Sequence, residues 1–184
     1  MPHLRHVSVF CGSHLGDSPS FAAAAGALGT ALAERGIGLV YGGAAIGLMG
    51  AVADAALAAG GLVTGVITES LADLEIAHRG LSRLDMVTTM HDRKARMAEL
   101  SDAVIMLPGG FGTYEEFMES VTWVHLGIHH KPSGILNVDG FFDHLLRFVA
   151  QAVDAGFIRR PLADAIVVAD DPGELLGALD LALS

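Results

Sequence analysis

Two carboxylates, three cations and a run of glycines hold most of the chemistry this sequence has to offer. Residues 103–116, AVIMLPGGFGTYEE, set Glu115 and Glu116 just behind Pro108, Gly109, Gly110, Phe111, Gly112 and Thr113, while MHDRKARM upstream packs Arg93, Lys94 and Arg96 into four positions. The apolar run 104–107, closed by proline and glycine, reads as a buried parallel strand. A helix is expected to open near Gly112 and Thr113, because Thr113 followed three residues later by Glu116 has the spacing of a capping box. Such a strand–glycine–helix junction is an anion site. The first-turn N–H groups have no helical partners, the macrodipole adds roughly half a positive charge, and glycines let a phosphate approach without a Cβ in the way. A carboxylate one turn from a bound anion is electrostatically awkward, which points to work on another part of the ligand. The cations raise the same question, since positive charge in a first turn opposes the macrodipole. A charge run is more often a solvated helix face, but here Arg93 is expected to hold a phosphate or a leaving group.

These side chains need a frame, and the pattern around them supplies one. Strand-like runs at 6–11, 37–41, 62–67, 85–89, 104–107, 134–138 and 165–169 alternate with helix-like runs at 19–35, 49–59, 90–100, 112–126, 140–155 and 172–183. Residues 69–83 are polar and irregular, with room for a short helix. Alternation of this kind predicts an α/β fold: a doubly wound, Rossmann-like parallel sheet of about seven strands with helices on both faces. No linker or fixed-period repeat interrupts it, so residues 1–184 are expected to form one nucleotide-binding domain. Ligands in such sheets bind at the carboxyl ends of strands where the order reverses. Three glycine turns fall at strand ends: Cys11-Gly12-Ser13, Tyr41-Gly42-Gly43 with Gly47 and Gly50, and Pro108-Gly109-Gly110 with Gly112. Together they predict a backbone-lined crevice for a nucleotide or sugar phosphate. Their spacing is neither that of a dinucleotide fingerprint nor that of a Walker A loop, which argues against NAD binding and ATP hydrolysis.

Composition sets further bounds. With 184 residues the chain can bury about 70% of its unfolded surface. Hydrophobic residues make up 52% and charged residues 17%, more apolar than a monomer surface needs, so an oligomer is expected. A net charge of −10 argues against nucleic acid as a partner. No apolar run approaches the ~20 residues that span a bilayer. The single cysteine, Cys11, forms no internal disulfide and fits a reducing cytoplasm, most simply as a small buried hydrophobe. His125 and His129 have the i, i+4 spacing of a helical metal pair, but Gly127 lies between them and no third ligand follows, so no metal is expected. Ser13 lies outside a G-x-S-x-G elbow and is expected to hydrogen-bond a ligand rather than attack it. The run around Trp123 reads as core or subunit interface.

The motifs PGGFGTYEE, MHDRKARM, VFCGS, VYGGAAIGLMG, TWVHLGIHHKP and NVDGFFD together resemble the LOG family, the cytokinin riboside 5′-monophosphate phosphoribohydrolases formerly labelled lysine decarboxylase-like. The likeness runs from Val7 to about Ile158. It implies hydrolysis of the N-glycosidic bond of a nucleoside 5′-monophosphate, without a cofactor, in a homodimer. By matching motifs it implies that Glu116 is the catalytic carboxylate and Arg93 the catalytic arginine that orients it. The phosphate would lie on Gly109, Gly110, Phe111, Gly112 and Thr113. Gly12, Ser13, Gly42, Gly43, Glu75, Met90, Lys94, Pro108, Glu115 and Thr122 would line the substrate site. Two positions depart from the pattern, Ala44 for a frequent glycine and Thr68 for a frequent proline, and both bear on pocket shape. The older label fits poorly, because a Schiff-base decarboxylase needs a lysine for its cofactor and only Lys94 and Lys131 exist. The rivals are a non-catalytic nucleotide carrier, which would leave Glu116 unexplained, and a general purine-nucleotide nucleosidase.

Overall fold

The computed structural model describes residues 4–72 and 76–183. In chain order the elements are β1 (His6–Phe10), α1 (Pro19–Glu34), β2 (Gly38–Tyr41), α2 (Gly47–Ala58), β3 (Val63–Thr68), α3 (Glu69–Ala72), β4 (Arg83–Val87) and α4 (Met90–Leu100). They continue with β5 (Ala103–Met106), α5 (Phe111–His125), β6 (Ser133–Leu136), a 3-10 turn (Val138–Gly140), α6 (Asp143–Asp154), α7 (Arg160–Asp164), β7 (Ile166–Ala169) and α8 (Pro172–Leu183). The strands form one sheet in the order β4-β3-β2-β1-β5-β6-β7, with every pairing parallel. The chain winds outward from β1 to β4, then returns to the other side of β1 with β5. The reversal therefore falls between β1 and β5, as a doubly wound sheet requires.

Side-chain alternation along the central strands builds two cores. Val7, Val9, Leu39, Tyr41, Ile105 and Leu107 face one way, toward the layer of α1, α2 and α8. Phe10, Val40, Val66, Val104, Met106 and Ile135 face the other way and pack with Met97 of α4, Phe117 of α5 and Phe142. β2 and β5 are buried on both faces, which is why they read as continuous apolar runs. No helix among the described residues is long and apolar enough to cross a membrane.

Two helix starts depart from expectation, and each has a local cause. α5 opens at Phe111 with Gly110 as its N-cap, so Thr113 already sits inside the helix and the expected Thr113–Glu116 capping box does not form. The capping box is found at α4 instead. Thr89 Oγ1 accepts from the Asp92 N–H at 3.1 Å, and Asp92 Oδ2 accepts from the Thr89 N–H at 3.2 Å. Thr89 is thus a cap, and β4 ends before it. The helix expected over 140–155 is split, because Asn137 gathers the turn before it: its Oδ1 accepts from Phe142 N–H and its Nδ2 donates to Asp143, both at 2.8 Å. α7, a five-residue helix carrying Pro161 in its first turn, is an addition.

The sheet edge is pinned to α4 through Asp85 of β4. Its carboxylate accepts from Arg83 Nε at 2.5 Å and Arg96 Nε at 2.8 Å, and Arg96 also reaches Glu99 at 2.9 Å. Burial works to raise the Asp85 carboxyl, but hydrogen bonds from Arg96 and Arg83 and their charges outweigh it and hold the group below its ordinary range. A carboxyl lowered in the fold adds stability that is present at neutral pH and is lost as pH falls through the lowered value. Asp85→Asn is therefore expected to reduce stability at pH 7 and to flatten the decline below about pH 4, read as denaturation midpoint against pH.

Candidate active site

A cavity of about 510 Å³ opens at the carboxyl ends of β1 and β5, at the reversal point. That volume is within the range of small-molecule sites. Its walls are residues 11–17 after β1, Leu48 and Met49 of α2, Met90 and Arg93 of α4, Pro108 to Thr113, and Glu115 and Glu116 of α5, with Phe21, Leu71 and Phe141 at its sides. The two loops after β1 and β5 are tied to each other: Gly12 N–H donates to Pro108 O at 3.0 Å, and Gly12 O accepts from Leu48 N–H at 3.0 Å. A Cβ at Gly109 would run into the Thr113 hydroxyl and the Gly12 nitrogen, so the close approach requires glycine there. At Gly110 and Gly112 a Cβ would meet nothing within 4 Å. The fold does not demand glycine at those two positions, and the space before them belongs to the cavity.

The start of α5 is left open to a ligand. Tyr114 N–H makes the first intrahelical bond, to Gly110 O at 3.1 Å, and no side chain caps the helix. The N–H groups of Phe111, Gly112 and Thr113 precede that bond, and all three residues line the cavity. Partly positive donors thus converge on its wall.

Arg93 enters from α4 and is buried, 5% exposed. Its Nε donates to Val66 O at 2.9 Å and its Nη2 to Gly42 O at 3.1 Å, which leaves Nη1 3.7 Å from Glu116 Oε1. A side chain at Gly42 would displace that guanidinium. With two donors committed to backbone, Arg93 is placed to orient the carboxylate more than to grip a phosphate. Glu116 is itself largely buried, 14% exposed at its side chain. Burial first, then the Glu116 charge, push the Cys11 thiol far up, so Cys11 is a protonated wall of the cavity rather than a nucleophile.

The other residues singled out from the sequence separate into groups. Gly12, Ser13, Met90, Pro108, Phe111 and Glu115 join Arg93, Glu116 and the glycine turn around the cavity. Ser13 Oγ lies 3.3 Å from His14 Nδ1. Gly42 and Gly43 do not line the cavity. Gly42 offers its carbonyl to Arg93, and Gly43 packs toward Ile67 and Leu84. Lys94 turns to α5, with Nζ 2.7 Å from Glu115 and 3.0 Å from Glu119. Burial alone would lower its ammonium, but those two carboxylates raise it above its ordinary value. Thr122 is exposed, and its hydroxyl donates to Met118 O at 2.7 Å within α5. Glu75 lies outside the described residues. The cationic cluster is thus three separate devices, since Arg96 serves Asp85 and Glu99.

Sequence reasoning missed His14, Leu15, Asp17, Phe21, Leu48, Met49 and Leu71 in the cavity wall. The glycine-flanked loop SHLGDS after β1 was the available signal for the first three. Nothing in the local pattern marks Leu71 or Phe21. His125 is the last residue of α5 and His129 falls in the turn beyond, its ring edge-on to Trp123 at 5.9 Å, so the pair is not on one helix face. Among the described residues no group of three or more His, Cys, Asp or Glu is placed to hold a metal ion.

Fold and site together define a Rossmann-like α/β protein with a ligand cavity at its switch point, where an uncapped helix start and a buried arginine–carboxylate pair share the wall. A family model described as "Possible lysine decarboxylase" matches residues 49–179. The probable cytokinin riboside 5′-monophosphate phosphoribohydrolase LOGL5 of Oryza sativa subsp. japonica is 49% identical over 176 residues, covering 96% of this chain and 72% of that protein. The cytokinin riboside 5′-monophosphate phosphoribohydrolase LOG2 of Arabidopsis thaliana is 47% identical, covering 96% and 83%. Among solved structures, the molybdenum cofactor binding protein of the phototrophic bacterium Rippkaea orientalis superposes with a TM-score of 0.73 at 20% identity over 98% of each chain, a likeness of fold. The chain belongs to the LOG family of phosphoribohydrolases. The decarboxylase wording finds no fit in the site. Lys94 is held by two carboxylates, and Lys131 Nζ donates to the carbonyls of Ala98 and Ser101 at the end of α4. Neither lysine lines the cavity, so pyridoxal phosphate would have no amine there to form its Schiff base.

The backbone bonds of Arg93 carry a cost for its removal. Arg93→Ala strips the donor from two buried carbonyls at about 1–3 kcal/mol each, so the midpoint of thermal unfolding should fall by on the order of 10 °C. A scan against the unsubstituted protein checks it.

Proposed function

We propose that this protein hydrolyses the N-glycosidic bond of nucleoside 5′-monophosphates of the cytokinin riboside class, releasing free base and ribose 5-phosphate. The carrying observation is the Arg93–Glu116 pair, 3.7 Å apart and buried beside the open N-terminus of α5. In this reading the 5′-phosphate rests on the N–H groups of Phe111, Gly112 and Thr113. Roughly 6 Å of helix axis then separates Gly112 from Glu116, a span that suits the sugar between phosphate and reacting carbon. As the bond from C1′ to the base nitrogen breaks, C1′ gains positive charge and the base takes the electron pair. The Glu116 carboxylate stabilises that charge or draws a proton from the incoming water, whose oxygen bonds to C1′, and the proton the water gives up is passed on through solvent to the departing base. Arg93 holds Glu116 aimed at the sugar. The curated relatives named for this activity support the substrate class.

A homodimer and a cytoplasmic setting belong to the same proposal. Leu126 at 64%, Ile128 at 62% and Phe148 at 65% exposure leave large apolar side chains in water, which supports association. The single buried thiol suits a reducing compartment.

Incubation with AMP and with its N6-isopentenyl analogue, followed by chromatography for free base, tests the activity. The ratio of kcat/KM for the two reads base preference and separates a cytokinin-directed enzyme from a general nucleosidase. Glu116→Gln keeps the shape of the side chain and should lower kcat by about two to four decades with little loss of stability. Near-normal turnover in that variant, or binding of AMP without any release of base, would remove the assignment.

A further inference from the structure

Glu116 lines a second chamber besides the main cavity, and among the described residues it is the one shared by both. This chamber measures about 20 Å³ and is also walled by Ser8, Lys94, Glu119, Ser120 and Trp123. Ser120 follows Glu116 by four residues, so both lie on one face of α5. Ser120 is 7% exposed, and its hydroxyl oxygen is buried with no hydrogen-bond partner in the protein. A buried hydroxyl in that state is destabilising unless something bonds to it. Across the chamber, Ser8 Oγ lies 3.1 Å from Ser101 Oγ. The Ser101 proton goes to Met97 O at 2.9 Å, and the Ser8 proton goes to Ser101 Oγ or to Met97 O at 3.3 Å; in both cases the Ser8 oxygen keeps acceptor capacity. A polar space needs roughly 10–15 Å³ and two to four partners to hold a water. This one has the volume, a donor in Ser120, and acceptors in Ser8 and Glu116.

We propose that the chamber holds one ordered water that accepts from the Ser120 hydroxyl and donates to the Glu116 carboxylate and the Ser8 oxygen, making Ser120 a positioning residue for Glu116. The kinetic part of this inference rests on the reading of Glu116 as the catalytic carboxylate. A donor on the side away from Arg93 favours the ionised form and fixes the plane of the carboxylate. The charged and titratable groups that share the two cavities lined by Glu116 are Arg93 and Lys94 of α4, Cys11, His14 and Asp17 after β1, and Glu115 and Glu119 of α5. Of these, Lys94 is held by Glu115 and Glu119.

Ser120→Ala removes the donor and leaves the space. With the prenylated substrate, kcat should fall about 3–10-fold at unchanged KM, and the acid limb of the kcat profile should move up by about 0.5–1 pH unit, because the ionised carboxylate has lost support. Ser120→Thr and Ser120→Val match each other in shape and differ in the hydroxyl. The threonine variant should keep the original acid limb, and the valine variant should show the raised one. A high-resolution crystal structure of the unsubstituted protein should show a water within hydrogen-bond distance of Ser120 Oγ and the Glu116 carboxylate. A dry chamber, or an unmoved limb with full kcat in the alanine and valine variants while Glu116→Gln is inactive, overturns this inference alone. Full turnover in Glu116→Gln brings down the catalytic reading and the kinetic role of Ser120 with it, while the density in the chamber still decides the water.

Discussion

A single buried guanidinium holds this site together. Taking Arg93 out of water would cost several kcal/mol if its charge and donors went unanswered. They are answered by the carbonyl of Val66 from β3, the carbonyl of Gly42 after β2, and the carboxylate of Glu116 from α5. One side chain on α4 thereby ties together the ends of two strands and the helix across the sheet's reversal point. The distances divide its work: two bonds near 3 Å fix Arg93 in the frame, and a longer contact at 3.7 Å reaches Glu116.

The electrostatics of the cavity follow from that division. A protein of net charge −10 does not attract a phosphate through its overall field. The part of the cavity suited to an anion is the first turn of α5, which no side chain caps. A capping side chain at Gly110 would have satisfied one of the first-turn donors. The gap left by the missing cap is what a phosphate can fill. Lys94, the next cation along α4, is drawn to Glu115 and Glu119, so helix α4 ties the frame through one cation and pairs with α5 through the next.

Much of the frame was legible along the chain because it follows from local rules. Apolar runs of strand length, alanine-rich helices and glycine stops marked all seven strands to within a few residues, and their alternation fixed the parallel, doubly wound arrangement. Boundaries moved where a side chain acts on backbone at short range: Thr89 capping α4, Asn137 collecting the turn before α6, Gly110 opening α5. Those choices turn on φ and ψ at one residue, which periodicity does not report.

The sequence by itself determined the family, the kind of sheet, the three glycine turns, and Arg93 and Glu116 as the residues to watch, because each rests on residue type at a fixed spacing. Tertiary structure alone decided which way the long side chains turn. Arg93, Lys94 and Arg96 are neighbours on one helix, yet they go to the cavity, to α5 and to β4, and Gly42 and Gly43 stand behind the site rather than in it. Leu71 and Phe21 reach the cavity from segments without any motif. The physical reason is that a side chain's partner is set by what the sheet order brings near it, and in a parallel sheet such partners lie tens of residues away.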